Sequence, residues 1–155
     1  MTVLRRLTPE DLPHLRQFWI DHWGGDKMIV HREIFRPEQL EGFVTEDWSG
    51  VVAYLIRGDQ CEIISLNSLE EGRGIGSALI RAVIKEAKGR ACRRLFLSTT
   101  NDNIHALHFY QKRGFELAAL RRGAVNESRR IKPGIPLSGE DGIPLRDEIE
   151  LEMSL

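Results

Sequence analysis

The 155-residue sequence has only two cysteines, Cys61 and Cys92, and they form no C-x-x-C pair. That spacing argues against a structural disulfide or a cysteine-based zinc site, and no metal is expected. No apolar run approaches the length of about 20 residues that a membrane span needs. The N-terminal stretch Met1-Thr2-Val3-Leu4-Arg5-Arg6 has no signal-peptide core, so a cytoplasmic protein with no membrane association is expected. Charge of one sign is also missing. The 22 basic and 23 acidic residues leave a net charge of −1, which argues against a general nucleic-acid surface. Repeats and low-complexity tracts are absent. What remains is the composition of a globular chain, 41% hydrophobic and 29% charged. The length suits one domain, residues 1–155, able to bury roughly 70% of its unfolded surface.

The hydrophobic pattern outlines an α/β fold around a mixed sheet. Val3 to Leu7 reads as a strand. Thr8-Pro9-Glu10-Asp11 is a helix-start signal, followed by Leu12, Leu15 and Trp19 on one helical face and a stop at Gly24-Gly25. Residues 26–48 give no clear period. Val51 to Ile56 and Cys61 to Leu69 form a hairpin turned by Gly58-Asp59. Leu95-Phe96-Leu97 and Phe115 to Leu120 read as further strands. Arg121 to Pro144 reads as a long irregular segment, the kind that shapes a site. Ile149, Leu151, Met153 and Leu155 alternate with polar residues, which predicts a last strand with one buried face.

The stretch from Ser65 to Ile80 carries the first chemical signal. An apolar run ends in Glu71-Gly72-Arg73-Gly74-Ile75-Gly76 and opens directly into a helical pattern of Ile75, Ala78, Leu79, Ala82, Val83 and Ala87. The first turn of a helix has N–H groups without intrahelical partners and about half a positive charge, so this junction is an anion site. It is not a P-loop, because Gly76 is followed by Ser77-Ala78 rather than Lys-Ser or Lys-Thr. It is not a dinucleotide fingerprint either, since the third glycine position falls on Leu79 or Ser77.

Gly72-Arg73-Gly74-Ile75-Gly76 resembles the coenzyme A pyrophosphate loop of the GCN5-related N-acetyltransferases. Gly74 and Gly76 fit that pattern, while Glu71 stands where Gln or Arg is usual. A second stretch, Asn103 to Phe115, matches throughout the family's N-x-x-A-x-x-F-Y-x-K-x-G-F signature. The resemblance covers about residues 50–122. It implies a GNAT-like, mixed and mostly antiparallel central sheet flanked by helices, with a V-shaped splay between its two central strands. It implies acetyl-CoA as co-substrate, held by Leu66, Asn67, Ser68, Leu69, Gly72, Arg73, Gly74, Ile75, Gly76 and Ser77. Asn103 resembles the family's asparagine near that molecule, and a helix cap is the competing reading.

Acetyl transfer needs a neutral amine, a donor for the oxyanion and a proton for the leaving thiolate. The resemblance makes Tyr110 the general acid. Backbone N–H near Leu66 or Ser68 would hold the oxyanion. Glu62 lies where several family members place a glutamate acting through water; a solvent-facing strand residue is the alternative. His31 and Glu33 fall in the region that covers the acceptor in the family, and Asp147 and Glu148 would draw in a cationic amine. His105 and His108 read as surface histidines. The acceptor expected is a primary amine of a small molecule. A protein N-terminus or lysine side chain is an alternative, as is a non-catalytic acyl-CoA sensor. A homodimer is left open.

Overall fold

Thr8 begins the first helical stretch as its capping pattern predicts. In the computed structural model, which describes residues 2–70 and 72–155, the Thr8 backbone N–H donates to Asp11 Oδ2 at 2.8 Å. A single 3-10 turn over Pro9–Asp11 then leads into helix α1, Leu12–Trp23. Pro13 is tolerated because it sits in the first turn, where its missing N–H has no helical partner to lose. Gly24, with φ of 76°, ends the helix in the left-handed conformation.

The chain falls by its internal contacts into two compact units. The first holds Met1–Met28, Phe35–Leu95 and Ser154–Leu155. Its sheet has the order β1-β4-β5-β6, from Leu4–Arg6, Glu41–Thr45, Gly50–Arg57 and Gln60–Ser68. Every pairing in it is antiparallel. The predicted hairpin is β5 and β6, with Leu66 opposite Val52 and Ser65 opposite Ala53. The next pair is Ile63 with Tyr54, so one extra residue of β6 bulges there. Leu15, Phe18 and Trp19 of α1 form a core with Val44, Val51 and Ala53. Helix α2, Ile75–Gly89, packs on β5 and β6. It buries Ile75, Leu79, Val83 and Ala87 of the predicted stripe and also Ile80, while the predicted Ala78 and Ala82 are only half-buried.

The second unit holds Ile29–Ile34 and Phe96–Met153. Its sheet has the order β7-β9-β8, from Arg94–Thr100, Glu148–Ser154 and Glu116–Arg121. Helix α3, Ile104–Lys112, carries the second signature. Among the described residues, no helix is long and apolar enough to cross a membrane.

Three expectations change. The ill-defined stretch 26–48 contains three strands: Met28–Val30 (β2) and Glu33–Phe35 (β3), which pair with each other, and β4. The segment after Arg121 is not an irregular loop. It holds helix α4, Ala124–Ile131, and Ala124, Val125 and Ser128 are buried. The last strand does not present Glu148 and Glu150 to solvent: both are buried along with Leu151, while Glu152 is half-buried. β9 lies between β7 and β8, and its carboxylates find partners inside the unit.

A tight approach fixes the start of α2. A Cβ added to Gly50 would lie 2.2 Å from Ile75 Cγ2. Gly50→Ala is therefore expected to destabilise the fold by about 1–3 kcal/mol, the usual cost of overpacking. Urea unfolding checks this; an unchanged midpoint would show that α2 can retreat freely.

Candidate active site

The glycine turn after β6 is held at both ends within the first unit. At its start the Leu69 N–H donates to Ser49 O at 2.8 Å. At its end Ile75 lies over Gly50. Between them Gly72 and Gly74 have φ of 78° and 72°, a conformation that side chains disfavour. A Cβ at either glycine would meet nothing within 4 Å, so the turn faces open space. Gly74 is the N-cap of α2, and the first turn of that helix carries neither a capping side chain nor an acidic residue. An N-terminus built this way presents backbone amides and the positive end of the helix dipole to an anion. These residues fit the pyrophosphate of coenzyme A. Arg73 forms an ion pair with Glu70 beside the turn. Glu71, which stands where the family usually has Gln or Arg, lies outside the described residues.

The other residues assigned to that molecule on β6 keep strand pairing. Asn67 lies opposite Val51 and Ser68 opposite Gly50. The Asn67 side chain accepts a hydrogen bond from Trp23 Nε1 at 2.9 Å, tying the end of α1 to the end of β6. Ser77 lies in the first turn of α2. Glu62, opposite Leu55 on β6, is only 5% exposed, so it is not a solvent-facing strand residue.

In the second unit Tyr110 is buried on α3. Its ring meets Phe109 and Phe115 edge to face, with centroids 5.1 and 5.4 Å apart. Burial raises the phenol pKa, with the nearby Arg113 charge opposing part of that rise. The group therefore stays protonated at neutral pH. Asn103 caps α3, its Oδ1 accepting from Ala106 N at 3.1 Å. Its side-chain oxygen is thus used by the helix. His105 and His108 are exposed, as expected.

Two of the residues assigned to the acceptor meet. His31 sits at the β2–β3 turn, and its backbone N–H donates to Glu148 Oε1 at 3.0 Å. His31 and Arg32 have φ of 41° and 70°, unusual values for residues with side chains. Positive φ at both central positions is the hairpin geometry usually given to Asn-Gly. The strain is held by two carboxylates. Glu148 takes the His31 amide, and Glu127 of α4 takes the Arg32 guanidinium at 2.6 and 2.8 Å. Glu33 follows on β3. Asp147 is buried and accepts from the Gly123 N–H at 2.8 Å, at the N-cap of α4. Its carboxyl is held below its ordinary range by that backbone bond first, and then by Arg146.

The sequence reading missed the residues that shape this segment. Arg129 donates to the backbone oxygens of Ile135, Pro136 and Leu145 at 3.0, 2.7 and 2.9 Å. Asn101 binds Pro144 O at 2.8 Å and the amides of Arg146 and Asp147 at 3.0 and 2.9 Å. Asp102 accepts from Glu140 N at 3.1 Å. No local motif announces such residues: Arg129 reaches carbonyls six to sixteen residues along, and Asn101 and Asp102 act on backbone 38 to 46 residues away.

The family model of the GNAT acetyltransferases matches residues 9–115. The chain is 47% identical over 139 residues to the uncharacterized Bacillus subtilis protein YdhI, covering 87% of each. The IAA acetyltransferase from Bacillus cereus superposes over the whole of both chains, with a TM-score of 0.73 at 24% identity. A GNAT acetyltransferase from Elizabethkingia anophelis with acetyl-CoA bound gives a TM-score of 0.71 at 23% identity, covering 99% of this chain and 97% of that one. Over a shorter stretch of 47 residues, 30% of this chain and 31% of the relative, it is 38% identical to the Bacillus subtilis spermine/spermidine N(1)-acetyltransferase. The chain therefore belongs to the GNAT family: it is an acyltransferase, an N-acetyltransferase that works with acetyl-CoA.

Two predictions follow from this geometry. Gly74→Trp places its side chain in open space but at a φ of 72°, a strain of about 1–2 kcal/mol; it should still fold, with a lowered melting temperature, and should lose coenzyme A binding, and calorimetry showing unchanged affinity in the folded variant would contradict the loop assignment. Asp147 has a folded-state pKa below its unfolded value of about 3.9. Its contribution is thus complete above the unfolded pKa and lost as pH falls through the folded one. Asp147→Asn should cost about 1–3 kcal/mol at neutral pH and progressively less as the pH falls below the ordinary carboxylate pKa of about 3.9, read from thermal melts across that range. An equal loss at every pH would remove the carboxylate from the account.

Proposed function

We propose that the two units together form one N-acetyltransferase domain that transfers the acetyl group of acetyl-CoA to a primary amine of a small molecule. The observation that carries the reading is the open glycine turn at the uncapped N-terminus of α2, followed in sequence by a buried, protonated Tyr110 within the full second signature.

The neutral amine attacks the thioester carbonyl. A C–N bond forms, and the carbonyl electrons move onto oxygen, where backbone N–H near Leu66 or Ser68 stabilises the charge. As the carbonyl re-forms, the C–S bond breaks and its electron pair goes to sulfur. Tyr110 gives its proton to that sulfur. Glu62 takes the proton lost by the amine, through water. Tyr110 is protonated at neutral pH and so has a proton to give when a thiolate develops, and burial withdraws Glu62 from bulk solvent.

His31, Glu33, Asp147 and Glu148 form the acceptor side. The structural bonds of Asp147 and Glu148 give these carboxylates a second duty, because they order α4 and the β2–β3 turn while contributing negative charge. A cationic amine would be drawn toward that charge. The local similarity to the spermine/spermidine enzyme supports a small amine over a protein acceptor.

Tyr110→Phe should lower kcat by about 10²–10⁴, the usual worth of a general acid, with little change in acceptor KM. Thiol release with an amine panel measures both. An unchanged kcat would leave Tyr110 a packing residue.

A further inference from the structure

β8 is the end strand of its sheet, paired with β9 along one edge only. Such an edge leaves a row of backbone groups unpaired, and natural proteins protect it with charge, proline or a cover. β8 has no such protection at its centre. Its residues from Glu116 to Leu120 are all exposed, including Leu117 at 58% and Leu120 at 61%.

The sequence of this strand, Glu116-Leu117-Ala118-Ala119-Leu120-Arg121, is self-complementary when paired with itself in the antiparallel sense. A two-fold axis between Ala118 and Ala119 sets Glu116 opposite Arg121 of the second copy and Leu117 opposite Leu120. The two small alanines lie at the axis. Opposite charges at the ends favour this register, and a shifted one loses both pairs.

The fold adds a second observation. In a regular strand Leu117 and Leu120, three residues apart, would point to opposite faces. The pairing of β8 with β9 shifts between Leu117 and Ala119, so that Leu117 lies opposite Leu151 and Leu120 opposite Ile149. Paired residues share a face, and Ile149 and Leu151 share one as well, so the irregularity brings both leucines to the same side. Two copies would join four leucines there. Arg121 already binds Glu150 and lies near Ser98, but a guanidinium has five N–H donors and can serve Glu116 of the second copy as well.

We propose that β8 is a homodimer interface, pairing antiparallel with β8 of a second copy of this chain. Such an interface is isologous, as a two-fold requires. Six residues per strand bury less than the roughly 1,200 Å² of a stable interface, so the dimer should dissociate on dilution.

Sedimentation of the full chain should show a concentration-dependent monomer–dimer equilibrium, and Leu120→Lys should shift it to monomer with unchanged circular dichroism. The register has its own test. Leu117→Cys and Leu120→Cys variants, oxidised separately, should stay uncrosslinked, and an equal mixture should give the disulfide-linked dimer. A wild type that stays monomeric at every concentration overturns the proposal. So does a dimer that Leu120→Lys leaves intact, or a cysteine mixture that fails to crosslink, and the mixture decides the matter if Leu120→Lys does not fold.

Discussion

The approach of Ile75 to Gly50 is the contact on which the first unit depends. A helix cannot come so close to a strand where a side chain stands, and no side chain stands at Gly50. The N-terminus of α2 is thereby fixed over the sheet. The hydrogen bond from Leu69 to Ser49 fixes the other end of the turn, one residue earlier on the same neighbouring segment. Five residues of chain then join two anchored points. Rigid ends are what let a glycine-rich turn act as a binding element, since the entropy of ordering it is largely met in folding rather than at binding.

The second unit relies on buried carboxylates. Asp102, Asp147, Glu148 and Glu150 are all withdrawn from solvent. Burial of a charge is costly unless it is bonded, and each of these has a named donor: Thr100 and Glu140, Gly123 and Arg146, His31, and Arg121. The carboxylates bind backbone at the start of α4, in the β2–β3 turn and in the segment after α4. Arg129 does the same with the opposite charge, holding three carbonyl oxygens of the segment after α4.

How much was legible in the sequence follows from how local each signal is. The β5–β6 hairpin, α2, α3 and the glycine turn were readable because period, caps and motif all lie within a few residues of one another. β4 was not, since Glu41-Gly42 weakens a strand pattern that only its neighbours β1 and β5 complete. Helix α4 was hidden because Asn126, Glu127, Arg129 and Arg130 make it polar, and its buried Ala124, Val125 and Ser128 are a thin stripe. The alternation in β9 was read correctly as a strand and wrongly as half solvated. The partners of Glu148 and Glu150 are His31 and Arg121, and no local pattern links them. Of the site, the turn and Tyr110 came from motif. Arg32, Asn101 and Glu127 act across long separations, and Arg129 holds carbonyls beyond its own helix, so none left a local motif.

The central claim is that backbone amides at the start of α2 hold the pyrophosphate of acetyl-CoA. Titration of isotopically labelled protein with coenzyme A, followed by amide NMR, tests it most directly. The account predicts that the largest downfield shifts fall on Gly74, Ile75 and Gly76 and saturate with ligand. Saturable binding that leaves these three amides unmoved would contradict it.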